Sequence, residues 1–389
     1  MTPQDYYGWT RCFALFRGLE KDEVVHAFYE LLREPAPESY AVFVGKLYES
    51  GQTDWTAYLR ERVLECENGC IRLAAKNIPL PGVMRTAAKT ELHVLSEMAV
   101  LSPGFFDVYG YKAGYLVADE VDLYGLWLER LNKIGSHGFG DFAKYSMFRY
   151  EKGQIVPVVN PDPVRLDDLI GYESQKDVLV KNTRGLVKGR PSSNVLLYGD
   201  AGTGKSASVK AVVNEFVGDG VRLIELDRFS LPDLPRLLDV LADSPLKFVI
   251  FIDDLSFQEN DESFGALKAV LEGSSSARSR NTVIYATSNR RHLVRETFQS
   301  REGDEIHRND TMQETVSLSE RFGIRLLYER PGKDLYLRIV SELAKKSGLS
   351  EDGLVKGAER FALGKAGRSG RAARQFVEQL AAECEEQVC

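Results

Sequence analysis

The chain predicts an α/β protein: a five-stranded parallel sheet between a mainly helical N-terminal domain and a helical C-terminal domain. Three observations carry this. From Val164 onward, short β-rich runs alternate with helix-like segments, the pattern of strands joined by helical crossovers. The runs Val195 to Tyr198, Arg222 to Leu226, Phe248 to Ile252, Thr282 to Thr287 and Ile324 to Leu327 are nearly continuous in apolar residues, as strands buried on both faces are. Before residue 150 and after Pro331 the apolar residues recur instead at helical spacing.

In Asp22 to Glu34, the residues Val24, Val25, Phe28, Leu31 and Leu32 share one helical face, which predicts a core-facing helix. Thr53 to Cys66 repeats the pattern with Trp55, Leu59 and Val63, and Thr86 to Leu101 with Ala88, Leu92, Leu95 and Ala99. A fourth helix, Val121 to Ile134, runs into the break Gly135-Ser-His-Gly-Phe-Gly140. Tyr145 to Tyr150 and Ile155 to Val159 flank the turn Glu151-Lys-Gly-Gln154 and predict a short hairpin. The stretch Val156-Pro-Val-Val-Asn-Pro-Asp-Pro163 then reads as a linker. This divides the chain into 1–155, 164–330 and 331–389, the last with helices over Lys333 to Lys346, Leu349 to Leu363 and Arg371 to Glu386.

At 389 residues, each domain is long enough to bury its own core. A formal net charge of −7 leaves no global basic field for nucleic acid, which stays a secondary candidate. No apolar stretch is long enough for a bilayer and no secretory pattern opens the chain, so a cytoplasmic protein is expected, with no membrane partner. Of the five cysteines only Cys66 and Cys70 are close in sequence. Their spacing, without a second pair or a nearby His, fits reduced thiols at a helix end better than zinc.

The octapeptide Gly199-Asp-Ala-Gly-Thr-Gly204-Lys205-Ser206 follows a buried-strand run directly and fits the phosphate-binding pattern G-x-x-x-x-G-K-[ST]. Its glycines let the backbone form a nest of N–H donors, and the helix expected from about Gly204 points its positive end at the same phosphates. The pattern predicts a nucleoside triphosphate with Mg²⁺ as the ligand. Gly199, Asp200, Ala201, Gly202, Thr203, Gly204, Lys205, Ser206 and the adjoining Ala207 form the loop, Lys205 reaching the β/γ oxygens and Ser206 giving a hydroxyl to the metal. The strand Lys247-Phe-Val-Ile-Phe-Ile-Asp253-Asp254 ends in two carboxylates, Asp253 for the Mg²⁺ shell and Asp254 for the attacking water. Thr282-Val-Ile-Tyr-Ala-Thr-Ser-Asn289 is a second strand with a polar end, where Asn289 can orient that water, Thr287 and Ser288 being weaker candidates.

From about Asp167 to the C-terminus the sequence resembles the AAA+ ATPases. Asn194-Val-Leu-Leu-Tyr-Gly-Asp200, Phe251-Ile-Asp-Asp-Leu-Ser-Phe257, Ala266-Leu-Lys-Ala-Val-Leu-Glu-Gly273 and Tyr285-Ala-Thr-Ser-Asn-Arg-Arg-His-Leu293 are similar to the bacterial AAA+ group called domain of unknown function 815. Ser317-Leu-Ser-Glu-Arg-Phe-Gly323 and Gly367-Arg-Ser-Gly-Arg-Ala-Ala-Arg-Gln-Phe376 complete the likeness.

The resemblance implies a P-loop AAA+ core with a C-terminal helical lid, and ATP as the nucleotide. Ile170 and Gly171, in Asp-Leu-Ile-Gly-Tyr, match the stretch beside the adenine; Asn289 matches the sensor-1 position. Arg321 matches the arginine finger that one subunit lends its neighbour, which implies a homo-oligomer, and Arg371 matches the sensor-2 arginine. Arg308 and Arg368 are the second choices. The chain departs from the commonest AAA+ pattern at Asp254, where Glu is usual, and Leu226-Asp-Arg-Phe-Ser-Leu-Pro-Asp233 lacks the aromatic-aliphatic-Gly pore loop of protein-threading enzymes.

Together these features point to an ATPase that hydrolyses ATP to ADP and phosphate and couples the cycle to a conformational change of a protein partner held by the N-terminal domain. The competing readings are a nucleotide-switched binding or loading module with negligible turnover, and a DNA-linked loader. The local basic features for the last are Arg278-Ser-Arg280 and Arg290-Arg-His292.

Overall fold

The computed structural model describes residues 1–106, 114–255, 262–272, 281–289, 319–349, 354–365 and 367–386. The chain forms two compact units, Met1–Lys144 and Tyr145–Cys389.

The first unit is helical, and several of its helices start where the sequence supplies a cap. Asp22 Oδ1 accepts from the Val24 and Val25 N–H groups at the head of Glu23–Arg33. Asp54 Oδ1 accepts from Ala57 N–H in Trp55–Glu65, and Asn68 Oδ1 from Cys70 and Ile71 N–H in Gly69–Ala75. Each bond satisfies a donor that the helix cannot satisfy itself, worth about 1 kcal/mol per cap. Gly82–Ala99 and Leu123–Asn132 are the other long elements expected from sequence, joined by Pro3–Cys12 and Pro37–Glu49. The core is aromatic: the ring of Phe28 lies 4.3 Å from Trp55 and 5.1 Å from Phe43, centroid to centroid, and all three side chains are fully buried. Cys66 ends one helix and Cys70 starts the next, and both are free thiols. Burial pushes the Cys66 thiol up to about 11. No metal-binding group of His, Cys, Asp or Glu forms among the described residues.

One buried carboxylate organises this unit. Glu91, on Gly82–Ala99, accepts from the backbone N–H groups of Ala14 at 2.9 Å, Leu15 at 3.0 Å and Phe16 at 3.0 Å. It thereby pins the turn that leaves Pro3–Cys12. Removing it strands buried donors, so Glu91→Ala is expected to lower stability by about 3 kcal/mol or more in urea unfolding, with Glu91→Gln in between. A loss under about 1 kcal/mol would refute this role.

The second unit is built on one sheet: β1 (Met147–Glu151), β2 (Gln154–Pro157), β3 (Val195–Gly199), β4 (Val221–Leu226), β5 (Lys247–Ile252), β6 (Thr282–Ser288) and β7 (Ile324–Tyr328), in the order β2-β1-β4-β5-β6-β3-β7. The five runs read from sequence are all strands, contiguous and mutually parallel from β4 to β7. The sheet is nonetheless seven-stranded rather than five-stranded. The hairpin β1–β2, which sequence spacing assigns to the N-terminal domain, pairs through β1 with the outer edge of β4, in parallel from Met147↔Leu223 to Tyr150↔Leu226. Unpaired strand edges are exposed hydrogen-bonding templates, and β1 covers this one with Met147, Phe148 and Tyr150 buried.

Helices Glu173–Val187 and Lys205–Phe216 cover the sheet through Leu179, Leu186, Val209, Val212 and Val213. Three C-terminal helices, Lys333–Lys346, Leu354–Gly364 and Gly370–Glu386, form a separate cluster around Tyr336, Val340, Ala358 and Ala373, and Ile170 packs onto it. Among the described residues no helix is long and apolar enough to cross a membrane.

Candidate nucleotide site

Parallel pairing brings the carboxyl ends of β3, β5, β6 and β7 to one edge of the sheet, with Tyr198 opposite Ser288, Ile252 opposite Ala286 and Gly199 opposite Tyr328. Ligands on such sheets bind beyond these ends. Here the chain leaves β3 in a loop that only glycine permits. Gly199, Gly202 and Gly204 have φ of 127°, 75° and 93°, and a Cβ on Gly199 would lie 2.3 Å from the Tyr328 carbonyl oxygen. The helix Lys205–Phe216 starts immediately after this loop. Its first N–H groups have no intrahelical acceptor and face the loop as an anion cradle.

The polar side chains at this edge are joined in one chain of hydrogen bonds. Lys205 Nζ donates to the carbonyls of Gly199 (3.1 Å) and Asp200 (2.7 Å) and to Asn289 Oδ1 (2.9 Å). Asn289 Nδ2 donates in turn to Asp254 Oδ1 at 2.8 Å. Ser206 Oγ donates to Asp253 Oδ1 at 2.6 Å, and Thr287 Oγ1 donates to the same oxygen at 2.5 Å. Thr287 Oγ1 also accepts from Asp254 N–H at 2.9 Å. Burial lowers the Lys205 ammonium below its ordinary range, while the carboxylates of Asp200, Asp253 and Asp254 pull it back up.

Both implied ligands fit these groups. The glycine cradle with a lysine at its mouth suits a polyphosphate. Ser206 and Asp253 offer hard oxygens from two elements to a cation that keeps few protein ligands and takes the rest from phosphate and water. Asp254 stands in the left-handed region at φ 52°, a conformation uncommon outside glycine and one that turns its carboxylate toward Asn289.

Sequence reading missed the connection from this loop to the C-terminal helices. Asp200 donates its N–H to the Tyr328 carbonyl at 3.0 Å, and its Oδ2 accepts from Arg330 N–H at 3.0 Å. Tyr328 stacks on Tyr172 with ring centroids 4.8 Å apart, and the Tyr172 hydroxyl donates to the Glu329 carbonyl at 2.6 Å. Burial, Asp200 and Glu329 push the Tyr172 phenol up to about 12. The segment around Ile170 and Gly171 is fixed to the helix Lys333–Lys346: a Cβ on Gly171 would lie 2.8 Å from Leu335 Cδ1, Glu173 pairs with Arg338 at 2.5 Å, and Asp168 with Lys346 at 2.7 Å. The signal available was the aromatic end of β7 followed by Arg330-Pro331, which carries no motif of its own.

Arg371 opens the helix Gly370–Glu386, and its backbone N–H donates to the Gly202 carbonyl at 3.2 Å, which brings that helix start onto the loop. Arg368 instead holds Glu359 with two bonds of 3.0 and 2.7 Å. Arg321 is not part of the hydrogen-bonded chain: it precedes β7, whose far end meets the loop, and it pairs with Glu272 at 2.5 Å. Arg308, Arg278, Arg280, Arg290 and His292 lie outside the described residues. Phe229, the one aromatic where a pore loop is sought, is 75% exposed, with Arg228 stacked 4.6 Å from its ring.

The family model described as "Protein of unknown function (DUF815)" matches residues 143–384. The chain belongs to this family. The second unit of this DUF815 member has a P-loop α/β fold on a mainly parallel sheet, with seven strands in place of the five expected. Among curated proteins, the replication factor C large subunit of Thermofilum pendens is 34% identical over 128 residues, 31% of this chain and 31% of that protein. That of Staphylothermus marinus is 26% identical over 122 residues, 29% of this chain and 28% of that protein. The chain thus matches about a third of the length of these relatives. Among solved structures, the FIGL-1 AAA domain in complex with ADP gives a TM-score of 0.39 at 22% identity, covering 59% of this chain and 77% of that one. The Thermotoga maritima RuvB Holliday junction branch migration motor gives 0.37 at 16% identity, covering 56% and 63%.

Proposed function

We propose that the protein binds ATP with Mg²⁺ at this edge, hydrolyses it to ADP and phosphate, and uses the cycle to move its C-terminal helices as a lid while the N-terminal helical unit holds a protein partner. The observation that carries this reading is the unbroken chain Lys205–Asn289–Asp254, beside Ser206–Asp253, at the mouth of a glycine cradle. A polyphosphate in the cradle draws the Lys205 ammonium from the Gly199 and Asp200 carbonyls to its own oxygens. Bound Mg²⁺ supplies charge neutralisation on those oxygens. Ser206 and Asp253 hold it from the protein side; Asp254 accepts a proton from water, and Asn289 fixes the orientation of that carboxylate. Arg371 faces the phosphates from the lid, and Ile170 and Gly171 flank the base.

Lys205→Ala removes the cation of this cradle. ATP affinity, read by equilibrium dialysis, is expected to fall about a hundredfold or more, a few kcal/mol of charge-assisted hydrogen bonding; unchanged affinity would sink the assignment. A nucleotide-switched module with negligible turnover is the second reading, favoured by the short Asp254 side chain, whose Oδ1 already accepts from Asn289. The likeness to replication factor C large subunits supports a DNA-linked loader as the third. Turnover that rises with single-stranded DNA in the same preparation selects it.

A further inference from the structure

The first unit carries a charged groove that is independent of the nucleotide site. It has a volume of about 430 Å³. One wall is the outer face of the helix Trp55–Glu65, where Ala57, Arg60, Glu61, Leu64 and Glu65 recur at helical spacing. The inner face of that helix, Trp55, Tyr58, Leu59 and Val63, is buried in the aromatic core, so the wall is fixed in place. Arg130, from Leu123–Asn132, and Ala143, from Asp141–Lys144, form the facing wall, and Gln52 lies at the loop before the helix.

The charges here do not balance. Both carboxylates are ion-paired, Arg62 lying 3.2 Å from Glu61 and 3.1 Å from Glu65 and Lys144 3.0 Å from Glu65, although Glu65 Oε2 is buried without a hydrogen bond. Among the described residues, that leaves Arg60 and Arg130 with no carboxylate within ion-pair distance, and the Arg130 Nε is buried without a hydrogen-bond partner. Burial holds the Arg130 guanidinium below its ordinary range, with Glu65 opposing. A half-buried guanidinium with an idle donor is an expense in a folded protein, and an anion brought from outside offsets it. The planar fork of arginine matches a carboxylate in two-point contact.

We infer that this groove is a recognition site for an acidic segment of a protein partner, Arg130 taking a Glu or Asp carboxylate and Arg60 a second one at the rim, with the partner's methylenes against Ala57, Leu64 and Ala143. A carboxylate suits the site better than a nucleic-acid backbone. The small apolar walls of Ala57, Leu64 and Ala143 fit single side chains rather than stacked bases.

The test uses the full chain and a fluorescein-labelled Glu-Ala repeat peptide, with a Gln-Ala repeat of the same length as control, followed by anisotropy. The Glu-Ala peptide is expected to bind at least about tenfold tighter than the control, and Arg130→Gln to remove about tenfold in affinity. Arg60→Gln, at an exposed position where folding is not at stake, is expected to weaken binding about threefold, and Arg33→Gln, at a remote surface pair, not at all. Equal binding of the two peptides overturns the proposal, and so does a loss at Arg33→Gln matching that at Arg60→Gln. A single-stranded oligonucleotide that displaces the peptide at lower concentration than unlabelled Glu-Ala also overturns it, in favour of a phosphate site.

Discussion

Asp254→Asn is expected to cut steady-state ATP turnover about 10²–10⁴-fold, the usual worth of a positioned general base, while ATP affinity changes less than about threefold. The substitution is a clean one here for a structural reason. Asp254 holds φ at 52°, and Asn is the residue that, with Asp, best tolerates that region, so the backbone turn after β5 survives. The Asp254 N–H to Thr287 Oγ1 bond is also kept, because it uses the main chain. What is lost is the carboxylate that accepts from Asn289. Single-turnover hydrolysis and dialysis on the same preparation separate the two effects. If turnover is unchanged, Asp254 is a structural turn residue; if wild-type turnover is already negligible, the nucleotide-switch reading stands in place of hydrolysis.

The strands of this protein were legible because their apolar runs are almost unbroken. Phe248 to Ile252 has no polar residue to confuse the period, and burial on both faces demands that pattern. Their order was not legible, since parallel pairing joins segments far apart in the chain: β3 finds its neighbours in β6 and β7, some ninety and more residues on. The edge pairing of Met147–Glu151 with β4 is a case in point, because the hairpin reads as self-contained until its partner is known.

The site divides along the same line. That the phosphate-loop pattern, Asp253, Asp254 and Asn289 would meet at one edge of the sheet was readable because each ends a strand in a fixed chain order. Tyr172 was not, since nothing in its neighbours announces a left-handed φ of 57° or a stack on Tyr328. Asp200 occupies a position the loop pattern leaves open to any residue, yet its carboxylate and N–H join the loop to the segment leading into the C-terminal helices. The loop and the segment entering the C-terminal helices are therefore joined through a residue that no motif singles out.

Arg321→Ala is expected to lower turnover about 10³-fold or more, the measure of a guanidinium supplied to transferring phosphate, and the loss is expected to be rescued in part by mixing with Lys205→Ala subunits. On the proposed reading the recipient is a neighbour's site. β7 runs parallel to β3, with Ile324 opposite Val195 and Tyr328 opposite Gly199, so Arg321 precedes the end of β7 farthest from its own loop. Four strand residues alone span about 13 Å. Within its own chain the guanidinium pairs with Glu272, and both side chains keep about a third of their exposure, 29% and 35%. Such a pair is worth about 1 kcal/mol or less, too little by itself to account for a thousandfold effect. Glu272→Ala supplies the control: a merely structural role for the pair predicts equal losses from either partner's removal, whereas a role in the adjoining site predicts that freeing Arg321 from Glu272 leaves turnover within about threefold of wild type. In the mixture, Arg321→Ala subunits keep an intact cradle and Lys205→Ala subunits keep the arginine, so only an interface that joins one to the other restores activity. Failure of the mixture to recover, with both variants folded and co-assembled, rules out donation between subunits.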